Sequence, residues 1–313
     1  MALSDYSVSD DLHRRASEVA LQRLPWPSAE RRGVAVWVRR DDLIDVHQSG
    51  NKFYKLYYNL RVAQKLQYKA IASFGGAWSN HLYALAFAGA GEGIPTHGII
   101  RGERPSQLSP MLQDVENLGM ELHFVGRDSY AAKLLPESLR SLSALWQVPE
   151  GGGNFLGALG MSAIGRCLQE IFPARLSVCM AAGTGTSMAG VAAGLGGSAT
   201  CLGFSVLKGA GNLAYDVKTH VNGMKSANVA TSAANWRLIS GYHCGGYGRK
   251  LPAYLKEFLH QQEANYGIHW DPIYTIKMLW GVHCLLDQGY WRRGENIVLL
   301  HTGGMQGRRG FCL

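Results

Sequence analysis

Lys52 is the residue whose neighbours best suit it to act as a nucleophile. It stands in Ser49-Gly50-Asn51-Lys52-Phe53-Tyr54-Lys55-Leu56, just after a Gly-Asn turn and among aromatic and apolar side chains. An amine desolvated in such a setting gives up its proton more readily and can attack a carbonyl carbon. On spacing alone, an ordinary solvated lysine fits the same string. A second stretch, Gly183-Thr184-Gly185-Thr186-Ser187-Met188-Ala189-Gly190, follows a buried apolar run and opens a helical pattern. Glycines and hydroxyls at a helix start let several backbone N–H groups converge on a phosphate. No lysine follows the last glycine, as a Walker loop requires, and the spacing of Gly183, Gly185 and Gly190 departs from the dinucleotide GxGxxG pattern. A plain turn packed closely on a sheet would use the same glycines.

Two further places combine polar groups with turns. In Ser73-Phe74-Gly75-Gly76-Ala77-Trp78-Ser79-Asn80-His81, a hydroxyl, an amide and an imidazole stand beside the free N–H groups of a helix start, a good seat for a carboxylate. The same residues also suit an ordinary N-cap at Ser79 or Asn80. Asp271-Pro272-Ile273-Tyr274-Thr275 opens a helix, and His301-Thr302-Gly303-Gly304-Met305 ends a strand.

The elements that must hold these motifs follow one rhythm: a short apolar run, a glycine turn, then a helical pattern, which is the signature of parallel α/β layers. Strands are expected at 70–74, 97–100 and 121–125, with helices at 80–90 and 110–118 and a long amphipathic helix within 129–146. A second unit is expected to hold a helix at 160–171, a strand at 176–181, a helix from about 186 and a strand at 200–206. Helices at 252–262 and 274–287 and a strand at 297–301 complete it. Residues 34–38 alternate in the manner of a strand that joins this second sheet, and 212–246 has no clear period.

Composition narrows the class. The chain has 313 residues, 39 of them glycine, with 47% hydrophobic and 17% charged residues, which excludes a disordered, collagenous or coiled-coil chain. The net charge of +8 is spread over short Arg pairs rather than one basic run, so a small anionic ligand is expected and nucleic acid is not. Six cysteines without a CxxC pair point to reduced thiols rather than a zinc or disulfide framework. The start, MALSDYSVSDDLHRR, lacks a charged-then-apolar leader, and the uncharged stretch 176–207 is too rich in glycine and hydroxyls for a membrane helix. A cytoplasmic protein is expected, without membrane or metal.

Taken in order, Gly-Asn-Lys near residue 50, the GGxxSNH turn, Gly-Gly-Gly-Asn-Phe-Leu-Gly-Ala-Leu-Gly at 151–160, the loop at 183, Asp-Pro-Ile-Tyr at 271 and His-Thr-Gly-Gly at 301 form a set. This set resembles the 1-aminocyclopropane-1-carboxylate deaminase and D-cysteine desulfhydrase family, fold-type II pyridoxal-phosphate enzymes related to the tryptophan synthase β chain. The resemblance runs over residues 36–307. It implies an α/β architecture of two three-layer domains with largely parallel sheets and the cofactor between them. The large cofactor-binding domain would comprise residues 1–52 plus 161–313, and the small one 53–160. A homodimer acting on a small amino acid is implied as well.

Carried over by position, the resemblance makes Lys52 the Schiff-base lysine and the carrier of the substrate Cα proton. It seats the phosphate of pyridoxal 5'-phosphate on Gly183, Thr184, Gly185, Thr186 and Ser187, and sets Asn80 against the phenolic oxygen. Ser79, with Asn80 and His81, would hold the substrate carboxylate. Tyr247, in Gly245-Gly246-Tyr247-Gly248, and Tyr274 would be the active-site tyrosines. In the deaminases, glutamate and leucine stand where this chain has Thr275 and Thr302, and the desulfhydrases resemble this chain at both places. A neutral Thr beside the ring nitrogen makes a weaker electron sink, which suffices to expel a thiolate from a β-carbon. The expectation is α,β-elimination from D-cysteine to pyruvate, sulfide and ammonia. The alternatives are the cyclopropane deaminase and a non-catalytic cofactor or amino-acid binder. The chain departs from the family pattern at Ser49, usually glycine, at Tyr54, commonly arginine, and at Trp78, commonly polar. These departures bear on the amino acid and not on the cofactor.

Overall fold

The computed structural model describes residues 7–195, 197, 199–206, 208, 211–227, 229, 235–246, 250–311 and 313. In chain order its elements begin with α1 (Asp10–Ser17), β1 (Leu21–Leu24), α2 (Pro27–Arg31), β2 (Ala35–Arg39), α3 (Asn51–Lys65), β3 (Ala70–Gly75), α4 (Asn80–Glu92) and β4 (Thr96–Arg101). Next come α5 (Pro110–Asn117), β5 (Glu121–Val125), α6 (Arg127–Ala131), α7 (Glu137–Arg140), β6 (Leu145–Val148), α8 (Phe155–Ile171), β7 (Leu176–Ala182), α9 (Thr186–Gly194) and β8 (Ala199–Ser205). The last are α10 (Leu213–Ser226), β9 (Trp236–Ile239), α11 (Ala253–Tyr266), α12 (Thr275–Asp287) and β10 (Asn296–Leu300).

Two sheets result. One has six strands in the order β1-β2-β10-β7-β8-β9, the other four in the order β5-β4-β3-β6. Among the described residues, only the β1/β2 pair is antiparallel. A parallel sheet needs a crossover between neighbours, and the helices that supply it cover both faces, so its strands are apolar on both sides. The side chains divide accordingly. Val178, Met180, Val298 and Leu300 enter one core of the large sheet, while Cys179, Ile297 and Leu299 enter the other. In the small sheet, Ile71 and Ile100 face one layer and Ala72, Phe74 and Ile99 the opposite one.

Residues 34–38 do join the large sheet, since Val36 pairs with Ile297 and Val38 with Leu299. The long helix expected within 129–146 is not formed. Its segment is broken into α6, α7 and the start of β6 because Lys133 adopts φ 54° and Pro136 precedes α7, so the backbone cannot continue helically. The helix expected from 160 starts five residues earlier, where Asn154 accepts a hydrogen bond from Gly157 N–H at 2.8 Å and caps it. Part of the segment without a period, 212–246, is the helix α10 and the edge strand β9. The uncharged stretch after residue 176 is strand, turn, nine-residue helix and strand, and no described helix is long and apolar enough to cross a membrane.

The carboxyl ends of β2, β3, β7 and β10 all lead into the motifs singled out above, as ligand sites in open α/β sheets require.

Candidate active site

Lys52 is presented by a turn that only glycine can make. Gly50 has φ 65° and ψ −141°, and a Cβ there would lie 1.9 Å from the carbonyl oxygen of Thr302. The turn is fixed on both sides: Gly50 N–H donates to Asp41 O at 2.9 Å, and Asn51 N–H to Thr302 O at 3.4 Å. Lys52 thus sits in the first turn of α3, partly buried, with Nζ donating to Asn51 Oδ1 at 2.9 Å. Burial lowers its pKa to about 8, although the charge of Asp271 pulls the other way. Near neutral pH a useful fraction of the amine is therefore unprotonated and nucleophilic.

The family departures around this turn are structural. Tyr54 is buried in the core below α3, where its hydroxyl donates to Asp41 Oδ1 at 2.7 Å and accepts from Arg39 Nη2 at 3.2 Å. Arg39 in turn bonds Asp41 through Nε at 3.1 Å, so the charge opposite Asp41 comes from β2 and not from α3. Ser49 packs its hydroxyl against Gly303, whose φ is 71°. Trp78 is partly buried on the small-sheet core, covered by Gly310, with its carbonyl accepting from Gln306 Nε2 at 3.1 Å.

Facing Lys52 is a wall made by the start of α4, the start of α12 and the turn after β10. Asn80 Oδ1 accepts from Gln306 Nε2 at 2.5 Å. A Cβ on Gly304 would meet Asn80 Nδ2 at 2.7 Å and Asp271 Oδ2 at 3.2 Å, so the absence of a side chain there lets the two polar groups approach. Asp271 is buried, and its Oδ1 accepts the N–H groups of Ile273, Tyr274 and Thr275 at 3.2, 2.5 and 3.3 Å. Its Oδ2 has no hydrogen-bond partner among the described residues, and burial pushes the pKa up to about 7 against those three hydrogen bonds. Thr275 is buried beneath it. Its hydroxyl accepts from Asp271 N–H at 2.9 Å and donates to Asp271 O at 3.2 Å. Tyr274 lies partly buried at the N-cap of α12, and Thr302 partly buried above Asn51.

Ser79 is the N-cap of α4, accepting from Leu82 N–H at 3.2 Å, which leaves its hydroxyl proton available. His81 is buried with Nε2 2.9 Å from Ser73 Oγ. Its imidazole is held well below the usual pKa by burial and by Lys52 and Lys55, so what His81 offers the wall is its backbone N–H.

The third side is an anion pole. Gly185, at φ 79°, begins α9 without a side-chain cap, and Gly183 and Thr184 lead into it. Thr186 is buried with Oγ1 3.2 Å from His220 Nε2, and Ser187 Oγ accepts from Asn51 Nδ2 at 3.1 Å, tying this loop to the lysine turn. Lys55, one helical turn beyond Lys52, is buried against Gly152 and donates to Gly151 O at 2.9 Å. Burial and the charge of Lys52 hold its pKa well below the usual lysine value. Neither amine forms an ion pair among the described residues. A cavity of about 360 Å³ opens beside this pole, lined by Gly153, Thr184, Thr186 and His220 among others. Tyr247 lies outside the described residues.

Lys55, Asp271 and His220 are the members that the motifs did not reveal. Lys55 was signalled by its spacing of three from Lys52, which puts both on one helix face. Asp271 was signalled only as part of a helix start.

A family profile described as "Pyridoxal-phosphate dependent enzyme" matches residues 16–303. A protein of Pyrococcus horikoshii provisionally named 1-aminocyclopropane-1-carboxylate deaminase is 28% identical over 308 residues, 93% of this chain and 90% of that one. The bifunctional D-cysteine desulfhydrase/1-aminocyclopropane-1-carboxylate deaminase of Arabidopsis thaliana, a mitochondrial protein, is 27% identical over 88% of this chain and 73% of its own. A solved structure described as an ACC deaminase homologue shares the fold with a TM-score of 0.79 at 22% identity, covering 96% of each chain.

Proposed function

The chain belongs to the family of pyridoxal-phosphate dependent enzymes, and from that premise we propose that it is a lyase that eliminates the β-substituent of D-cysteine. The observation that carries the reading is the position of Lys52, an amine with pKa lowered to about 8, between the Asn80–Asp271 wall and an uncapped helix start backed by Lys55.

These residues fit the cofactor at both ends. Two desolvated lysine amines that form no ion pair among the described residues and the N-terminus of α9 call for an anion, and a phosphate supplies it. The unpartnered Asp271 Oδ2 and the amide of Asn80 offer polar groups at the other end. When bound, the cofactor supplies an electron sink conjugated to the substrate amine, which makes the Cα proton acidic and loosens the β-bond.

The chain's own residues do the rest. Lys52 would carry the cofactor covalently, give way to the substrate amine and then take the proton from Cα. Gly183, Thr184, Gly185, Thr186, Ser187 and Lys55 would hold the phosphate. Ser79, through its free hydroxyl proton, and the N–H groups of Asn80 and His81 would seat the carboxylate, fixing which face of Cα meets Lys52. Tyr274 and Tyr247 would line the side on which sulfur departs. One D-cysteine and one water then give one pyruvate, one sulfide and one ammonia.

Thr275 and Thr302 favour this substrate over the cyclopropane one. A homodimer in the cytoplasm is the setting that accompanies the reading.

The test is product release by purified enzyme with added cofactor: pyruvate and sulfide from D-cysteine against 2-oxobutanoate from 1-aminocyclopropane-1-carboxylate. The expected result is turnover of D-cysteine, lost in Lys52→Ala. Turnover of the cyclopropane alone would replace the substrate, and a spectral shift without turnover would leave a binding protein.

A further inference from the structure

The small sheet holds a second cluster of chemically capable side chains, remote from the lysine turn. In the β4/β5 register His97 lies opposite Glu121 and Ile99 opposite His123. Alternate residues of a strand share a face, so His97, Glu121 and His123 all emerge on one side of the sheet. They do so at the amino-terminal end of the strands, whereas the candidate active site lies beyond the carboxyl end of β3.

His97 Nδ1 is 3.2 Å from His123 Nε2 and 3.3 Å from Glu121 Oε2, and His123 Nε2 is 3.5 Å from Glu121 Oε1. One ligand atom from each residue can be chosen so that all lie within 4.8 Å of one another. A tetrahedral zinc ion with bonds of about 2.0–2.1 Å holds its ligand atoms about 3.3 Å apart. The 3.2 Å spacing of the two imidazole nitrogens matches one edge of that tetrahedron, and Glu121 turns one carboxylate oxygen toward each of them, Oε2 to His97 and Oε1 to His123. The two imidazoles keep only 11% and 10% of their side-chain surface in solvent, while Glu121 keeps 63%. The triad is thus anchored on the protein side and open on the other, where a water can complete the coordination.

The geometry points to a binding site for one divalent transition-metal ion of the zinc type, held by His97, His123 and Glu121 with a solvent molecule in the fourth position. Two imidazole nitrogens and one carboxylate select such an ion over magnesium or calcium, which prefer oxygen ligands. β5 is an edge strand of the small sheet, and the ion would fasten it to β4 by side chains as well as by the ladder. The site serves structure and not turnover, because its ligands stand at the far end of the strands from Lys52.

The test is calorimetric titration of the chelator-treated holoenzyme with zinc chloride, with magnesium chloride as the control. The expected result is one zinc per chain with a rise in melting temperature, no binding of magnesium, and loss of the zinc site in His123→Ala. Glu121→Gln alters an exposed side chain, so it keeps the test decisive where the histidine variant does not fold, and it is expected to weaken zinc binding. Wild-type enzyme that binds no zinc would overturn the assignment, and so would zinc binding that is unchanged in both variants.

Discussion

Replacing Gly50 by alanine tests whether the lysine turn is held as described. The Cβ would sit 1.9 Å from Thr302 O and 2.1 Å from its carbonyl carbon, whereas real Cβ contacts are not found below 3.0 Å, so the turn and the strand end must part by about 1 Å. The contacting atoms are backbone, with no flexible side chain to yield. A φ of 65° with ψ of −141° is a region reserved for glycine, and holding alanine there costs about 1–3 kcal/mol before any clash is counted. With the displacement added, a loss of roughly 3 kcal/mol or more is expected, which lowers the melting temperature by roughly 5 °C or more at this chain size. Lys52 moves with the turn, and a displacement of about 1 Å at a reacting group can cost about a hundredfold in rate. Gly76→Ala is the matched control, because a Cβ there meets nothing within 4 Å. Thermal melts and cofactor absorbance of both variants make the comparison. A Gly50→Ala protein with wild-type melting temperature and wild-type turnover would refute the placement of Lys52.

Lys55→Met is expected to weaken cofactor binding while stabilising the cofactor-free protein, since it removes a buried amine that forms no ion pair but faces the anion pole; equilibrium dialysis and thermal melts measure the two effects. In the cofactor-free enzyme the folded state holds Lys52 at about 8, against 10.5 for an ordinary lysine. The unfolded chain therefore binds the extra proton between those values, and stability rises as pH climbs from about 8 to 10.5. Melts across that range should show the rise in wild type and a smaller one in Lys52→Met. Tyr54→Phe removes a buried hydroxyl from Asp41 and Arg39, which costs about 1–3 kcal/mol. Denaturant unfolding should show that loss while the Michaelis constant for D-cysteine stays unchanged, because Tyr54 lies in the core below α3.

The strands β2, β3, β4, β5, β7, β8 and β10 were legible to within a residue or two, each being a short apolar run, whereas β6 and β9, at the edges of their sheets, were not. The helix pattern over 129–146 misled because its amphipathic spacing continues through Leu134, Leu135 and Pro136, whereas the backbone there is decided by proline and by the left-handed Lys133. Lys52, Asn80 and the 183–187 loop could be found from motifs because each is local: a turn followed by a helix start. Lys55 needed the helix α3 to be drawn before its spacing meant anything. The triad of His97, Glu121 and His123 depends on the register of β4 against β5, which no local pattern encodes. Asp271 was visible as part of a helix start, but that its second oxygen is buried without a hydrogen-bond partner among the described residues emerges only from the packing of Gly304 against it.

That oxygen changes what Thr275 means. As a sequence feature Thr275 marks the absence of a glutamate, and hence a weaker electron sink. In the structure its hydroxyl is occupied by the backbone of Asp271, and Asp271, through its Oδ2, presents the carboxylate oxygen without a hydrogen-bond partner among the described residues on the wall facing Lys52. A glutamate at position 275 would bring a second carboxylate against one that burial already holds at about 7, and two acids so close resist ionising together. Threonine adds no second acid, so Asp271 stays at about 7, with Lys277 pulling it down against burial, and Lys52 at about 8. A lysine so lowered can be neutral near neutral pH, as an amine that must take up a proton requires. On the function proposed above, Thr275 would therefore favour thiolate elimination both by withholding a second carboxylic acid from the ring and by leaving Asp271 and Lys52 undisturbed.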